Sequence, residues 1–413
     1  MSSILTNNGA TAALQTLKNI NKSMGNVQEQ ISTGKRVNSS KDNAAVWAIS
    51  TAMESDVAGF KKVSESLSLG QATVSVARQG AETVADLLTQ VKEKVVSAQE
   101  ENVDRAKIQT DIAALRDQIT AVVGASQFNG QYMLENTGTA EDSGGINVLA
   151  SLDRSFSGVS SSDIRVSKED LSQGAATAGS VSVDASLGNT VVAGESNDVA
   201  TFVEDTAGGL TTGNTYQFTS GGNLALSEDV AYVAREGDTL EDVTNGLVMK
   251  LNEQAAADGL DVTFSQSDTG VGTISMTNNT DADIAVAAGE FQQAALDGSE
   301  DDGGIGGRLE VLASMDVSTQ AGTDSALAVI DGLIEVAIDS AAAFGSSEMR
   351  LETQADFVSG LTDALKSGIG TLVDADMEET SARLQALQVQ QQLGIQAMSI
   401  ANSAPQSLLG LFR

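Results

Sequence analysis

The 413-residue chain contains no cysteine and no histidine, a single proline (Pro405) and only 3% aromatic residues. Without thiols or imidazoles, disulfides, Cys/His zinc sites, iron–sulfur clusters and Ser-His-Asp triads are excluded. With proline almost absent, the commonest helix breaker is missing, and very long uninterrupted helices become possible. Basic residues are also scarce. The 23 Lys and Arg stand against 56 Asp and Glu, a formal net charge of -33, and such a field repels nucleic acid and anionic membrane surfaces. No run approaches the roughly 18–20 apolar residues that cross a bilayer. The opening MSSILTNNGATAALQTLKNI lacks the charged region and solid apolar core of a Sec signal. Carboxylate and lysine chemistry and oxygen-only cation sites stay open. The apolar share of 41% supports a folded core.

The acidity is concentrated in the middle. Residues 141–310 hold 29 acidic and 6 basic residues, whereas residues 1–41 run basic, with Lys18, Lys22, Lys35, Arg36 and Lys41 against Glu29 alone. Periodicity changes at the same borders. Ala10, Ala13, Leu17, Ile20, Met24, Val27 and Ile31 follow the 3-4 spacing of a helix with a coiled-coil seam. After a polar break from Ser32 to Asn43 the spacing restarts at Val63, Leu67, Gly70, Val74, Ala77, Ala81, Val84, Leu88, Val91 and Val95. Ile108, Ile112, Leu115, Ile119 and Val122 predict a shorter helix. Near the other end, Leu327, Ile330, Ile334, Ala337, Ala341 and Phe344 lead on to Leu351, Ala355, Val358, Leu365, Ile369 and Leu372. The last helix has two apolar stripes, Leu384, Leu387 and Met398 on one face and Ala386, Val389, Leu393 and Ile400 on another. A helix apolar on two faces needs neighbours on two sides.

The centre reads as short β-prone runs punctuated by Gly, Ser, Thr, Asn and Asp, among them 181–183, 215–218, 260–265 and 272–277. Asp238 to Glu241 resembles a capping box, opening a helix with Leu240, Val243, Leu247 and Leu251 inside. The expected fold is mainly α with a β-rich insert: the long terminal helices pair as a coiled-coil rod, and a middle α+β domain projects from its tip.

No chemical motif in the sequence is complete. Gly34-Lys35 lacks the first glycine and the Ser/Thr of a phosphate loop. An EF-hand frame starting at Asp297 puts Asp302 where glycine is needed and Arg308 where glutamate is needed, so 297–303 reads as a solvated acidic loop. The Gly-rich stretch 303–307 reads as a hinge. Chance pairs of carboxylates are expected among 56 acids, and no glycosidase site is assigned. Trp47 reads as a packing residue, with a subunit contact as the rival. No catalytic, cofactor or metal site is expected.

Two terminal stretches carry more than periodicity. Ile31-Ser-Thr-Gly-Lys-Arg-Val-Asn-Ser-Ser-Lys-Asp-Asn-Ala-Ala45 resembles the N-terminal signature of bacterial flagellins. Leu393-Gly-Ile-Gln-Ala-Met-Ser-Ile-Ala-Asn402, with Pro405 to Arg413, resembles their C-terminus, and Gln127-Phe-Asn-Gly130 is similar to the family as well. Asp42-Asn43 and Trp47 lean toward alphaproteobacterial members. The resemblance implies a self-assembling subunit of the flagellar filament, with a hook–filament junction protein as the alternative. It implies an inner, channel-lining domain (1–45 with 373–413), an outer-tube domain (46–140 with 311–372) and an acidic surface domain (141–310). Assembly contacts would fall on Leu17, Ile20, Met24, Val27, Ile31, Leu384, Leu387, Val389, Leu393 and Ile400. The expected partners are further copies, an export chaperone, the filament cap and hook-junction proteins, and the expected location is extracellular, after type III export without a cleaved signal. Enteric members engage a Toll-like receptor through the outer-tube helix. Here Gln90 and Lys94 replace their Arg and Leu while Asp111 keeps an acid, so weak recognition is expected.

Overall fold

The computed structural model describes residues 7–138, 143–155, 158–204, 209–294 and 304–411, apart from the side chains of 154, 155, 159 and 404–411. The acidic loop 297–303 and the last two residues, Phe412 and Arg413, lie outside the described residues. Three helices come first, α1 (Asn8–Thr33), α2 (Ala44–Ala98) and α3 (Arg105–Ala125). Strands follow: β1 (Gln127–Phe128), β2 (Gln131–Tyr132), β3 (Gly145–Ser155), β4 (Gly158–Ser167), β5 (Val183–Asp184), β6 (Thr190–Val191), β7 (Ser196–Thr201), β8 (Thr215–Phe218) and β9 (Val230–Val233). After α4 (Leu240–Ala257) come β10 (Val262–Gln266), β11 (Thr273–Asn278), β12 (Ile284–Ala285) and β13 (Phe291–Gln293). The chain closes with α5 (Glu310–Ser314), α6 (Gln320–Val373) and α7 (Met377–Leu411). It divides into two compact units, residues 1–64 with 356–413 and residues 65–355, whose borders fall inside α2 and α6.

In the first unit, α1 packs on α7. Asn7 starts α1 by accepting the Ala10 N–H on its side chain, and Gly34 stops it in the left-handed region at φ 70°.

In the second unit the expected seam of α2 is inside throughout. Leu67, Val74, Ala77, Ala81, Val84, Leu88, Val91 and Val95 are fully buried. Ion pairs stitch α2 to α6 (Arg78–Glu348, 2.7 Å; Lys92–Asp331, 2.6 Å) and to α3 (Lys94–Asp111, 2.6 Å). Gly70 and Gly80 sit in the seam because neighbours press close. A Cβ at Gly70 would lie 2.7 Å from a Val148 methyl on β3, and one at Gly80 would lie 2.7 Å from Leu134 Cδ1. On α6 the expected Ile330, Ala337, Phe344, Leu351 and Val358 are inside, and three other seam positions fall one residue before the expected ones. Ala326, Ile330, Leu333, Ala337, Ser340 and Phe344 are buried, whereas Leu327 is exposed. Ala326 and Ser340 occupy seam positions that an apolar count assigns to the more apolar Leu327 and Ala341.

The insert has its own core. A four-stranded sheet (β5-β13-β8-β9) and a three-stranded sheet (β10-β11-β7) enclose edge-on aromatic pairs, Phe202–Tyr216 at 5.5 Å and Phe218–Phe291 at 5.3 Å, and α4 covers β9 and β10. In β10, Val262 and Phe264 point in and Thr263 and Ser265 point out, as the alternation predicts. The capping box lies one residue later than expected, since Thr239 and Asp242 exchange the two bonds. The stretch read as a hinge is pinned instead. Residues 172–177 and 304–309 run antiparallel, through Thr177 N–H to Gly304 O (2.9 Å), Gly307 N–H to Gly174 O (2.7 Å) and Leu309 N–H to Ser172 O (3.1 Å). Gly306 and Gly307 are needed because any Cβ would collide with the backbone of Ala176 and Ser172.

Candidate functional site

The first unit presents a surface that its own fold leaves half covered. Along α1 the residues turned toward α7 are the predicted ones: Leu17, Ile20, Met24 and Ile31 are half-buried and Val27 is buried. On α7, Leu384, Leu387 and Met398 are half-buried, and the seam between them is completed by Gln391, Gly394 and Ala401. Sequence reading missed these three because they are polar or small, although their 3-4 spacing is intact. The helices run antiparallel: Asn7 Nδ2 donates to Ala401 O (2.8 Å), Gln391 Nε2 donates to Asn21 Oδ1 (2.8 Å), and Gly394 faces Leu17 and Ile20.

The second stripe of α7 is bare. Val389 is 56% exposed, Leu393 58% and Ile400 70%. Three large aliphatic side chains left in water on one helix cost about 1.5–3 kcal/mol each relative to burial. Trp47, expected as packing, is also 39% exposed, at the start of α2.

The signature stretch 31–45 forms a clasp. Arg36 and Val37 donate their N–H groups to Val373 O, Ala375 N–H donates to Gly34 O, and the Arg36 guanidinium reaches Leu372 O (2.7 Å). The break between α1 and α2 is thus tied to the break between α6 and α7. Asp42 shapes its own loop by accepting the N–H groups of Ser39 and Asn38 and the Ser39 hydroxyl, which hold its carboxyl below the usual range. The residues expected to bear on immune recognition lie on α2 and α3, where Gln90 is exposed and Lys94 is paired with Asp111.

Among the described residues there is no cluster of side chains fit to hold a metal ion, and α7 carries an apolar stripe that the fold leaves uncovered, which suits association. The model of the bacterial flagellin N-terminal helical region matches residues 4–139, and that of the flagellin C-terminal helical region matches residues 327–412. Flagellin A of Rhizobium meliloti is 36% identical over 423 residues, covering 100% of both chains. The chain belongs to the bacterial flagellins. Flagellin B of the same alphaproteobacterium is 36% identical over 418 residues, and the flagellin of Brucella melitensis biotype 1 is 29% identical over 414, each covering 100% of both chains. Among solved structures, FliC from Burkholderia pseudomallei aligns with 68% of this chain and 99% of its own at 13% identity and a TM-score of 0.32. As a flagellin, the chain is a structural subunit of the bacterial flagellar filament, a homopolymer outside the cell, and not an enzyme. Full-length relatives that are themselves flagellins set aside the junction-protein alternative. No helix among the described residues is long and apolar enough to cross a membrane.

Proposed function

We propose that the α1–α7 pair is the polymerisation element and that the bare stripe Val389, Leu393 and Ile400 is covered by neighbouring subunits. The observation that carries this reading is the contrast on one helix: Leu384 and Leu387 are shielded by α1 while Val389, Leu393 and Ile400 stand in water. Burying a dozen such side chains at 1.5–3 kcal/mol each exceeds the usual cost of association. Head-to-tail contacts that do not close generate a helical fibre.

In this reading residues 1–45 with 373–413 form the inner domain lining the channel, 46–140 with 311–372 the outer tube, and 141–310 the surface. Leu17, Ile20, Met24, Val27, Ile31, Leu384 and Leu387 hold the inner pair together. The chain leaves through the flagellar type III apparatus without a cleaved signal. A chaperone shields the C-terminal stripe beforehand, and the filament cap and hook-junction proteins meet its ends. Receptor signalling through Gln90, Lys94 and Asp111 is weak, because Lys94 and Asp111 already satisfy each other. Deleting Ala401–Arg413 abolishes polymerisation, scored by negative-stain microscopy after salt-induced assembly, and leaves the fold of 46–372 intact by circular dichroism. Normal filaments from that truncation overturn the reading.

A further inference from the structure

The insert carries few cations, and two of them are sunk in one place. Arg235, 3% exposed in its side chain, bonds Asp170 (3.1 Å), Gly306 O and the Tyr232 hydroxyl, and lies 3.6 Å from Asp238. Arg308 contacts Asp242 (3.0 Å), Asp238 (3.2 Å) and Glu169 (3.4 Å). Between them these arginines bolt α4 and the turn before it to both strands of the neck, 168–177 and 304–309. The neck in turn hangs from the helical part through Glu169 N–H to Met133 O (2.9 Å) and Leu171 N–H to Leu134 O (3.0 Å).

The charges do not balance: two guanidiniums face four carboxylates. Asp339 on α6 adds a fifth carboxylate to the field at Glu169, and beside the cluster a cavity of about 380 Å³ between α4 and α6 is lined by Glu241 and Glu335 as well as Asp242, Asp339, Lys250 and Arg308. Glu169 has the longest contact of the three acids on Arg308. We propose that the neck is a proton-binding latch, in which Glu169 takes up a proton in mild acid and the insert is thereby gripped more tightly by its stalk. An ion-pair cluster ordinarily weakens on acidification, because its carboxylates must be discharged. This one has more negative charge than its arginines can absorb, so removing one charge relieves repulsion among the rest.

The direction of titration agrees. Burial raises the Glu169 carboxyl above its ordinary 4.5, Arg308 opposes, and Asp242, Asp238 and Asp339 push the same way as burial. The folded chain therefore binds this proton more readily than the unfolded chain. Stability is lowest above the folded value and grows as pH falls toward 4.5. Glu253, toward the C-terminal end of α4 and bonded by Ser314, is raised by burial too and adds a parallel contribution.

The test is hydrogen exchange of the full-length monomer, read at the neck amides of Thr177, Gly304 and Leu309 and corrected for intrinsic rates. Protection should increase between about pH 7.5 and about pH 5, by up to tenfold per unit of displacement in the Glu169 value. The E169Q chain, uncharged at every pH, should already show the acid level of protection near pH 7.5 and vary less with pH than wild type. E253Q should keep the dependence due to Glu169. Protection in wild type that stays level or falls on acidification overturns the proposal, and so does an E169Q profile parallel to wild type. If E169Q fails to fold, the E253Q chain decides: protection that still increases on acidification supports the proposal, and a level profile overturns it.

Discussion

Helices α2 and α7 carry the same 3-4 apolar spacing and end in opposite situations. Every large seam residue of α2 from Leu67 to Val95 is fully buried, whereas α7 hides one stripe against α1 and leaves Val389, Leu393 and Ile400 more than half exposed. Spacing says which face of a helix is apolar. What covers that face depends on how many neighbours the chain itself supplies. For α2 the chain supplies α3, α6 and the β3–β4 hairpin, and for α7, among the described residues, the helix packed along it is α1. The region with a complete set of neighbours is a folded domain, and in the proposed reading the other is half of an interface.

Substitutions in the two regions should therefore separate monomer stability from assembly. The largest loss of monomer stability is expected from Phe344→Ala. This ring is fully buried on α6, and its removal costs about 3–5 kcal/mol by denaturant unfolding. Gly80→Val should cost about 1–3 kcal/mol, because the added atoms meet Leu134 and Ser126 on a loop already hydrogen-bonded into place. Leu393→Ser combined with Ile400→Ser should change monomer stability by no more than about 0.5 kcal/mol while stopping filament growth followed by light scattering. A large monomer effect there would mean that the stripe is covered within the chain, and the comparison would fail. The smallest effect is expected from Asp42→Asn, read as a weaker acid dependence. The Asp42 contribution is in place above its ordinary 3.8 and is lost as pH falls through its lower folded value, so the variant should lose less stability than wild type below that pH.

Much of this was legible from side-chain spacing. The seam of α1, the seam of α2, the two stripes of α7 and the alternation of β10 all follow from where apolar residues recur. The misreadings share a cause. At Ala326, Ser340, Gln391, Gly394 and Ala401 the seam is made by small or polar residues, which an apolar count passes over, and so Leu327 was assigned inward. Gly304, Gly306 and Gly307 were read as freedom, yet they serve close approach, because the partner strand 172–177 is far away in sequence. The arginine cluster of the neck was invisible for the same reason: Asp170, Arg235 and Arg308 give no local pattern. The clasp is intermediate. Its residues stood out as a family signature, but their bonds to Leu372 and Val373 need the other end of the chain.

The absence of cysteine makes the central claim directly measurable. Leu393→Cys and Leu387→Cys each introduce a single thiol, one on the bare stripe of α7 and one on the stripe facing α1. Labelling rates with a soluble maleimide, compared in monomer and filament, test whether the bare stripe is the surface that assembly covers. The Leu393→Cys thiol should label rapidly in the monomer and be protected in the filament, while the Leu387→Cys thiol should be the slower of the two before assembly. Equal labelling of Leu393→Cys in both states would contradict the account.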